Sequence, residues 1–336
     1  MVDYELRRND PALDEDEMAV REAFAEFFTK ECPSSVVRAA EPLGFDSALW
    51  ARLLEMGVAT MSLPAAAGGD GGTMIDLVLV AGEAGRRLAP VPLASHVCAT
   101  RLLAAASTPQ GTRICTIAHA PAVPGVAQLV PDAAIAADVI ALTGDELVLY
   151  QGEEPAAHVP NQGSTPLAWW QPGANRTTLA SGPRAAALHE IACAEWKLLT
   201  AAALTGLTDG ALALGVEFVK TRETMGVPVG SLQGVAYPLV DTAIEIAAAR
   251  NLVYRAAWMM QHEPGVRPEL PLMAFGAARS AATFGTATVV HAQGGLGFTV
   301  EADSSLYFLR AKGWSAITES ATDMTRVGAQ LVAGLG

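Results

Sequence analysis

Charge is scarce in this 336-residue chain and positive charge scarcer: 17% of residues are charged, with 22 Lys and Arg against 35 Asp and Glu, for a net charge of −13. A nucleic-acid partner, held largely by Lys and Arg releasing counterions, is thereby excluded. The four cysteines, Cys32, Cys98, Cys115 and Cys193, stand far apart with no C-x-x-C pair, so neither a zinc site nor a disulfide framework is expected, and the thiols read as reduced and mostly buried. The acidic, polar start MVDYELRRNDPALDEDEM lacks the apolar core of a signal peptide. No segment reads as the ~18 uncharged, apolar residues of a membrane span, so the expectation is a soluble cytoplasmic protein without a membrane partner. There is no internal repeat and no low-complexity tail.

What is abundant is hydrophobic, 51% of the chain and much of it Ala, which favours helices buried on several sides or packed on other subunits. Residues 1–111 carry helical periodicity, as at Val20, Ala23, Phe24, Phe27 and Phe28, interrupted by the turn-rich loop LPAAAGGDGGT, Leu63 to Thr73. Over 112–184 the short β-branched runs RICTIAHA, DVIALTG and ELVLYQG, bounded by Gly, Pro and Asp, predict strands. Residues 185–336 return to long helical windows: Ala185 to Lys220, then about Leu232 to Gln261, Leu270 to Gln293 and Ala302 to Leu331, with Pro238 expected to start or kink its helix. The fold class is α+β, mostly α: an N-terminal helical domain, a small middle β domain and a C-terminal four-helix bundle.

Two stretches of the bundle concentrate unusual residues. HAQGGLGFTVE, His291 to Glu301, packs three glycines around one leucine, which fits a helix stop or a backbone cradle for a ligand. VKTRETMGVPVGSLQ ends one helix and opens the next. Its Arg222 complements the helix dipole, yet a guanidinium, a sharp turn and an amide within twelve residues could also grip a phosphate and a base together.

Here the sequence resembles the FAD-dependent acyl-CoA dehydrogenases. Their loop signature R-x-x-F-G-x-P-[IV]-x-x-[FL]-Q is met by Arg222, Gly226, Pro228, Val229, Leu232 and Gln233, with Met225 in place of Phe. Their Q-x-x-G-G-x-G-[FY] is met by Gly294, Gly295, Gly297 and Phe298, with His291 in place of Gln; the N-terminal P-x-x-x-G-G-x-G by Pro64, Gly68, Gly69 and Gly71. The resemblance spans nearly the whole chain. It implies an FAD held mainly by a neighbouring subunit and touched by Arg222, Met225, Gln233 and His291, with the backbone of Gly294 and Gly295 beside it, and an acyl-CoA thioester as substrate.

Against that pattern, the family's flavin-ring motif T-E-P-x-x-G-S-D is replaced by TIAHAPAVPGVAQ from Thr116, which has no Glu, Asp or Ser, and the middle domain is shortened. The chemistry needs a carboxylate to take the α-proton. Counting from Lys312 puts the base on Thr318, and counting from Arg310 puts it on Glu319; in relatives that supply it from the first bundle helix, counting back from Arg222 falls on Trp196, beside Glu195. Glu195 and Glu319 each have a plain alternative as solvated helix charges. Three readings stay open: a base-less subunit sharing FAD with a catalytic partner chain, a self-sufficient homo-oligomer using Glu319 or Glu195, and a scaffold that kept the fold without the cofactor.

Overall fold

The computed structural model describes residues 10, 12–109, 111–318 and 320–333. The chain opens on α1 (Glu15–Glu31), set by a capping box in which the Asp14 carboxylate accepts from Glu17 N and the Glu17 carboxylate accepts from Asp14 N. Next come α2 (Ser34–Ala39), α3 (Ser47–Glu55), α4 (Met74–Arg86) and α5 (Leu93–Ala105). The strands β1 (Cys115–Ile117), β2 (Gln128–Val130), β3 (Asp138–Thr143), β4 (Glu146–Gln151), β5 (Ala168–Trp170) and β6 (Arg176–Ser181) follow. Helices resume with α6 (Pro183–Thr221), α7 (Gln233–His262), α8 (Leu270–Ala292), α9 (Asp303–Ser315) and α10 (Ser320–Ala333). The predicted order of helices, strands and helices is what is found.

The chain forms two compact units, each drawn from separate stretches. One comprises 36–73 and 90–197. Its sheet runs β1-β3-β4-β6, with β1 parallel to β3 and the other pairs antiparallel; β2 and β5 form a separate antiparallel pair. Val130, Val139, Val148 and Tyr150 build the core of this β region, and Trp170 meets Tyr150 edge-on at 5.4 Å. α5 packs on β1.

The other unit comprises 1–35, 74–89 and 198–336. There α1 and α7 pack on α4, while α8 packs on α7, α9 and α10. By length and composition α6 could cross a membrane, contrary to the expectation from sequence, but 61% of its most apolar window is buried within the protein, which is the situation of a core helix. Pro238 does not start its helix: α7 begins at Gln233 and continues through it. The proline falls in the second turn, where only the Gly234 carbonyl loses its partner. The fourth predicted helix is two, α9 and α10, the first ending at Ser315 although Ala316 and Ile317 carry the apolar pattern on.

Candidate functional site

The loop after α6 is a tight hairpin. Glu223 and Thr224 pair with Pro228 and Val227, leaving Met225 (φ +50°) and Gly226 (φ +78°) as the two turn residues. Positive φ at both positions is the primed turn that matches strand twist, and it is costly for Met. Arg222 N donates to Phe218 O, and its carbonyl accepts from Val229 N at 2.7 Å, which fixes the main chain beneath the guanidinium. Ser231 Oγ donates to Pro228 O at 2.7 Å, and α7 starts two residues later.

The glycine stretch follows α8 as a 3-10 turn, Gly294–Phe298. Gln293 Oε1 accepts from Ser304 Oγ at 2.6 Å, tying the turn to α9. A Cβ at Gly297 would press to 2.5 Å from Val290 O, so that glycine is required by close approach. Gly294 and Gly295 have open space where a Cβ would stand.

The two motifs share one end of the bundle. Gly285 of α8 lies against Thr208 of α6 and Thr242 of α7, and Gly215 of α6 lies against Val289 of α8. α6 and α8 therefore run the same way and α7 runs back between them. At ~1.5 Å per residue, Arg222 lies ~21 Å, Gln233 ~14 Å and His291 ~9 Å beyond the Thr208–Thr242–Gly285 layer, all in one direction. Arg222, Gln233 and His291 are exposed, and none holds a side-chain partner among the described residues. Around them stand exposed apolar residues: Met225 at 93%, Phe298 and Val300 at 76% each, and Leu296. A cation without a partner amid uncovered apolar side chains is a surface that suits an anionic ligand and a covering chain.

The base candidates are placed differently. Glu319 lies outside the described residues. Thr318 Oγ1 is buried without a hydrogen bond among the described residues. Glu195 is not a solvated helix charge: it is buried and held by Arg101, whose Nε donates to Oε2 at 3.0 Å and whose Nη2 donates to Oε1 at 2.8 Å, while Nη1 donates to the carbonyl and hydroxyl of Ser62. Sequence gave no sign of this pair, because Arg101 and Glu195 are 94 residues apart. Trp196 donates from Nε1 to Ser95 Oγ at 3.1 Å, and its ring meets His119 edge-on at 4.3 Å. His119, within the segment standing at the flavin-ring motif, thus contacts the residue found by counting back from Arg222.

Burial lowers three histidines of this unit and raises the Asp132 carboxyl to about 6. Burial pushes His96 down to about 4, where Nδ1 accepts from Cys115 N. Burial, with the charges of Lys197 and His189, pushes His119 down to about 3, and its Nε2 is enclosed without a hydrogen-bond partner among the described residues. His189 is also lowered, mainly by burial, although its Nε2 donates to Ala118 O at 2.8 Å. As pH falls below the ordinary 6.5 the unfolded chain's histidines bind protons that the folded ones refuse, so their contribution to stability is full above that value and is lost progressively toward 4, partly offset by Asp132, whose raised carboxyl takes up its proton earlier in the folded chain. Thermal unfolding midpoints measured from pH 7.5 to pH 5 should fall, and His119→Phe should flatten that slope.

The comparisons agree with this architecture. Residues 14–114 match the acyl-CoA dehydrogenase N-terminal domain and 194–323 the acyl-CoA dehydrogenase C-terminal domain. The chain is 31% identical over 320 residues to acyl-CoA dehydrogenase IpdE2 of Mycobacterium tuberculosis, covering 93% of this chain and 96% of the relative. It is 28% identical to acyl-CoA dehydrogenase FadE27 of the same organism, covering 85% and 88%. Among solved structures, a Tcur3481–Tcur3483 steroid ACAD variant superposes with a TM-score of 0.84 at 25% identity, covering 96% of this chain and 99% of that one. The ChsE4–ChsE5 complex of Mycobacterium tuberculosis superposes with a TM-score of 0.82 at 23% identity, with the same coverage. Together with the two bundle motifs, these matches show that the chain belongs to the acyl-CoA dehydrogenase family, oxidoreductases acting on acyl-CoA.

Proposed function

We propose that this chain is a base-less subunit of an FAD-dependent acyl-CoA dehydrogenase, sharing the cofactor with a catalytic partner subunit. The observation that carries the reading is the ring contact of His119 with Trp196. The segment that would face the flavin ring and the helix position that would present a carboxylate are filled by two aromatic rings in contact, with the adjacent Glu195 tied on both oxygens to Arg101. A carboxylate so bound has both oxygens turned to a guanidinium, and turning one toward a substrate α-carbon gives up part of that pair.

The bundle end fits the outer half of the cofactor. Arg222 offers an unpaired planar fork to a pyrophosphate on a chain whose net charge is −13. Gln233 offers an amide, and His291 a ring nitrogen. The space at Gly294 and Gly295 lets the backbone approach a ligand closely. Bound there, FAD supplies the acceptor for the hydride that leaves the β-carbon of the thioester. The exposed apolar rim at Met225, Leu296 and Phe298 supports a partner chain over this end. The likeness to a steroid ACAD favours a steroid-derived acyl-CoA as the substrate, and the cytoplasm as the place of action accords with the sequence.

The test is expression of the full chain alone and with a candidate partner dehydrogenase subunit, followed by the flavin spectrum and acyl-CoA-dependent dye reduction. The expected result is a colourless chain alone and a yellow, active complex; a yellow, active chain alone would overturn the reading. In the complex, Gly295→Phe should leave the unfolding midpoint unchanged, because its side chain meets open space, while removing most of the flavin.

A further inference from the structure

A second place in the molecule has the make-up of a ligand site. Within the helical unit, α1, α4, α6 and α7 surround a cavity of about 450 Å³. This is within the roughly 300 to 1,000 Å³ typical of small-molecule sites. Its floor is apolar, with Val78, Ala202 and Val253 all buried. Its rim carries guanidinia from three helices, Arg21, Arg86 and Arg250.

Three carboxylates, Glu22, Glu83 and Asp209, line the same space as the three guanidinia, and only Asp209 is ion-paired to Arg86 and Arg250 among the described residues. Arg86 Nη1 donates to Asp209 Oδ2, and Arg250 Nη2 stands as an ion pair 3.3 Å from the same oxygen. A guanidinium has five N–H groups, so one shared oxygen leaves most of each fork unused. The charges of Arg21 and Arg250 act on the Tyr254 hydroxyl, whose pKa is raised mainly by burial. Of the other carboxylates lining the space, Glu22 is exposed and Glu83 is half-buried, its pKa raised by burial against the opposing charges of Arg86 and Arg21. A purely structural ion-pair network would close on itself; these arginines instead stand around an apolar hollow.

We propose that this cavity binds a small carboxylate bearing a short apolar chain, its oxygens on Arg86 and Arg250 and its alkyl body on the floor of Val78, Ala202 and Val253. The site shares no residue with the bundle-end motifs, and its occupation needs neither FAD nor a partner chain. Its test is therefore independent of the flavin reading.

Calorimetric titration of the full chain, in whichever assembly it forms, should use octanoate as head plus body, inorganic phosphate as an anion without a body, and octanol as a body without charge. Octanoate should bind saturably and at least about tenfold more tightly than either control. Arg250→Gln should weaken octanoate by about tenfold, and Asp209→Asn, which removes the competing acceptor, should strengthen it severalfold. The opposite signs separate a site from general destabilisation. Absence of saturable octanoate binding to both wild type and Asp209→Asn overturns the proposal. Octanol or phosphate binding as tightly as octanoate overturns it too.

Discussion

Gly206→Val should abolish cooperative folding of the helical unit. A Cβ at Gly206 would stand 1.8 Å from the carbonyl oxygen of Gly82 and 2.7 Å from its carbon. The obstacle is main chain in the middle of α4, so no side-chain rotation relieves it. One turn away the same crossing repeats with the helices exchanged, a Cβ at Gly85 coming within 2.0 Å of Ala203 O. Any side chain at Gly206 must push α4 and α6 apart and open the layer that includes Val78, Val80 and Ala202, all buried. Overpacking in a tight core typically costs ~1–3 kcal/mol, and forcing two backbones apart along a helix crossing lies above that, at ~4 kcal/mol or more. Gly234→Ala is the matched control, a glycine in the first turn of α7 whose Cβ would meet nothing; it should be neutral or stabilising by up to ~1 kcal/mol. Urea denaturation of the two variants against wild type reads the difference, and a Gly206→Val protein of wild-type midpoint would mean that the crossing is not as close as described.

That crossing marks where sequence reading stopped. The helices containing Gly82, Gly85, Gly206 and Gly210 were legible from periodicity, and so was the order of helices, strands and helices. The glycines themselves read as neutral members of Ala-rich windows, although their spacings of three and four put each pair on one helix face. The bundle-end motifs were legible because they concentrate chemistry locally: a hairpin turn, an arginine and an amide within twelve residues fold mainly on themselves. The break between α9 and α10 was hidden because apolar residues continue across it. What lay out of reach depends on contacts distant in the chain. Nothing local distinguishes Glu195 from a solvated helix acid, since its partner Arg101 sits on α5; nothing in TIAHAP announces that His119 will meet Trp196.

Arg101→Leu should be the most damaging single change in the β-containing unit. The Arg101 and Glu195 side chains are 21% and 8% exposed, and the guanidinium also satisfies the Ser62 carbonyl and hydroxyl. Removing the cation leaves a buried carboxylate, near Cys98, without the guanidinium that held both its oxygens. Breaking a buried pair from one side costs ~3–5 kcal/mol, whereas replacing both partners by apolar groups of similar size is often close to neutral. The double variant Arg101→Leu with Glu195→Leu should therefore recover most of the loss, apart from the unsatisfied Ser62 carbonyl. The same pair of variants separates structure from chemistry. If Glu195 serves only to hold Arg101, the double variant assembled with its partner should turn over acyl-CoA at close to the wild-type rate. A drop of several orders of magnitude in a complex that is folded and yellow would instead make Glu195 the α-proton acceptor, and the chain a catalytic subunit in its own right.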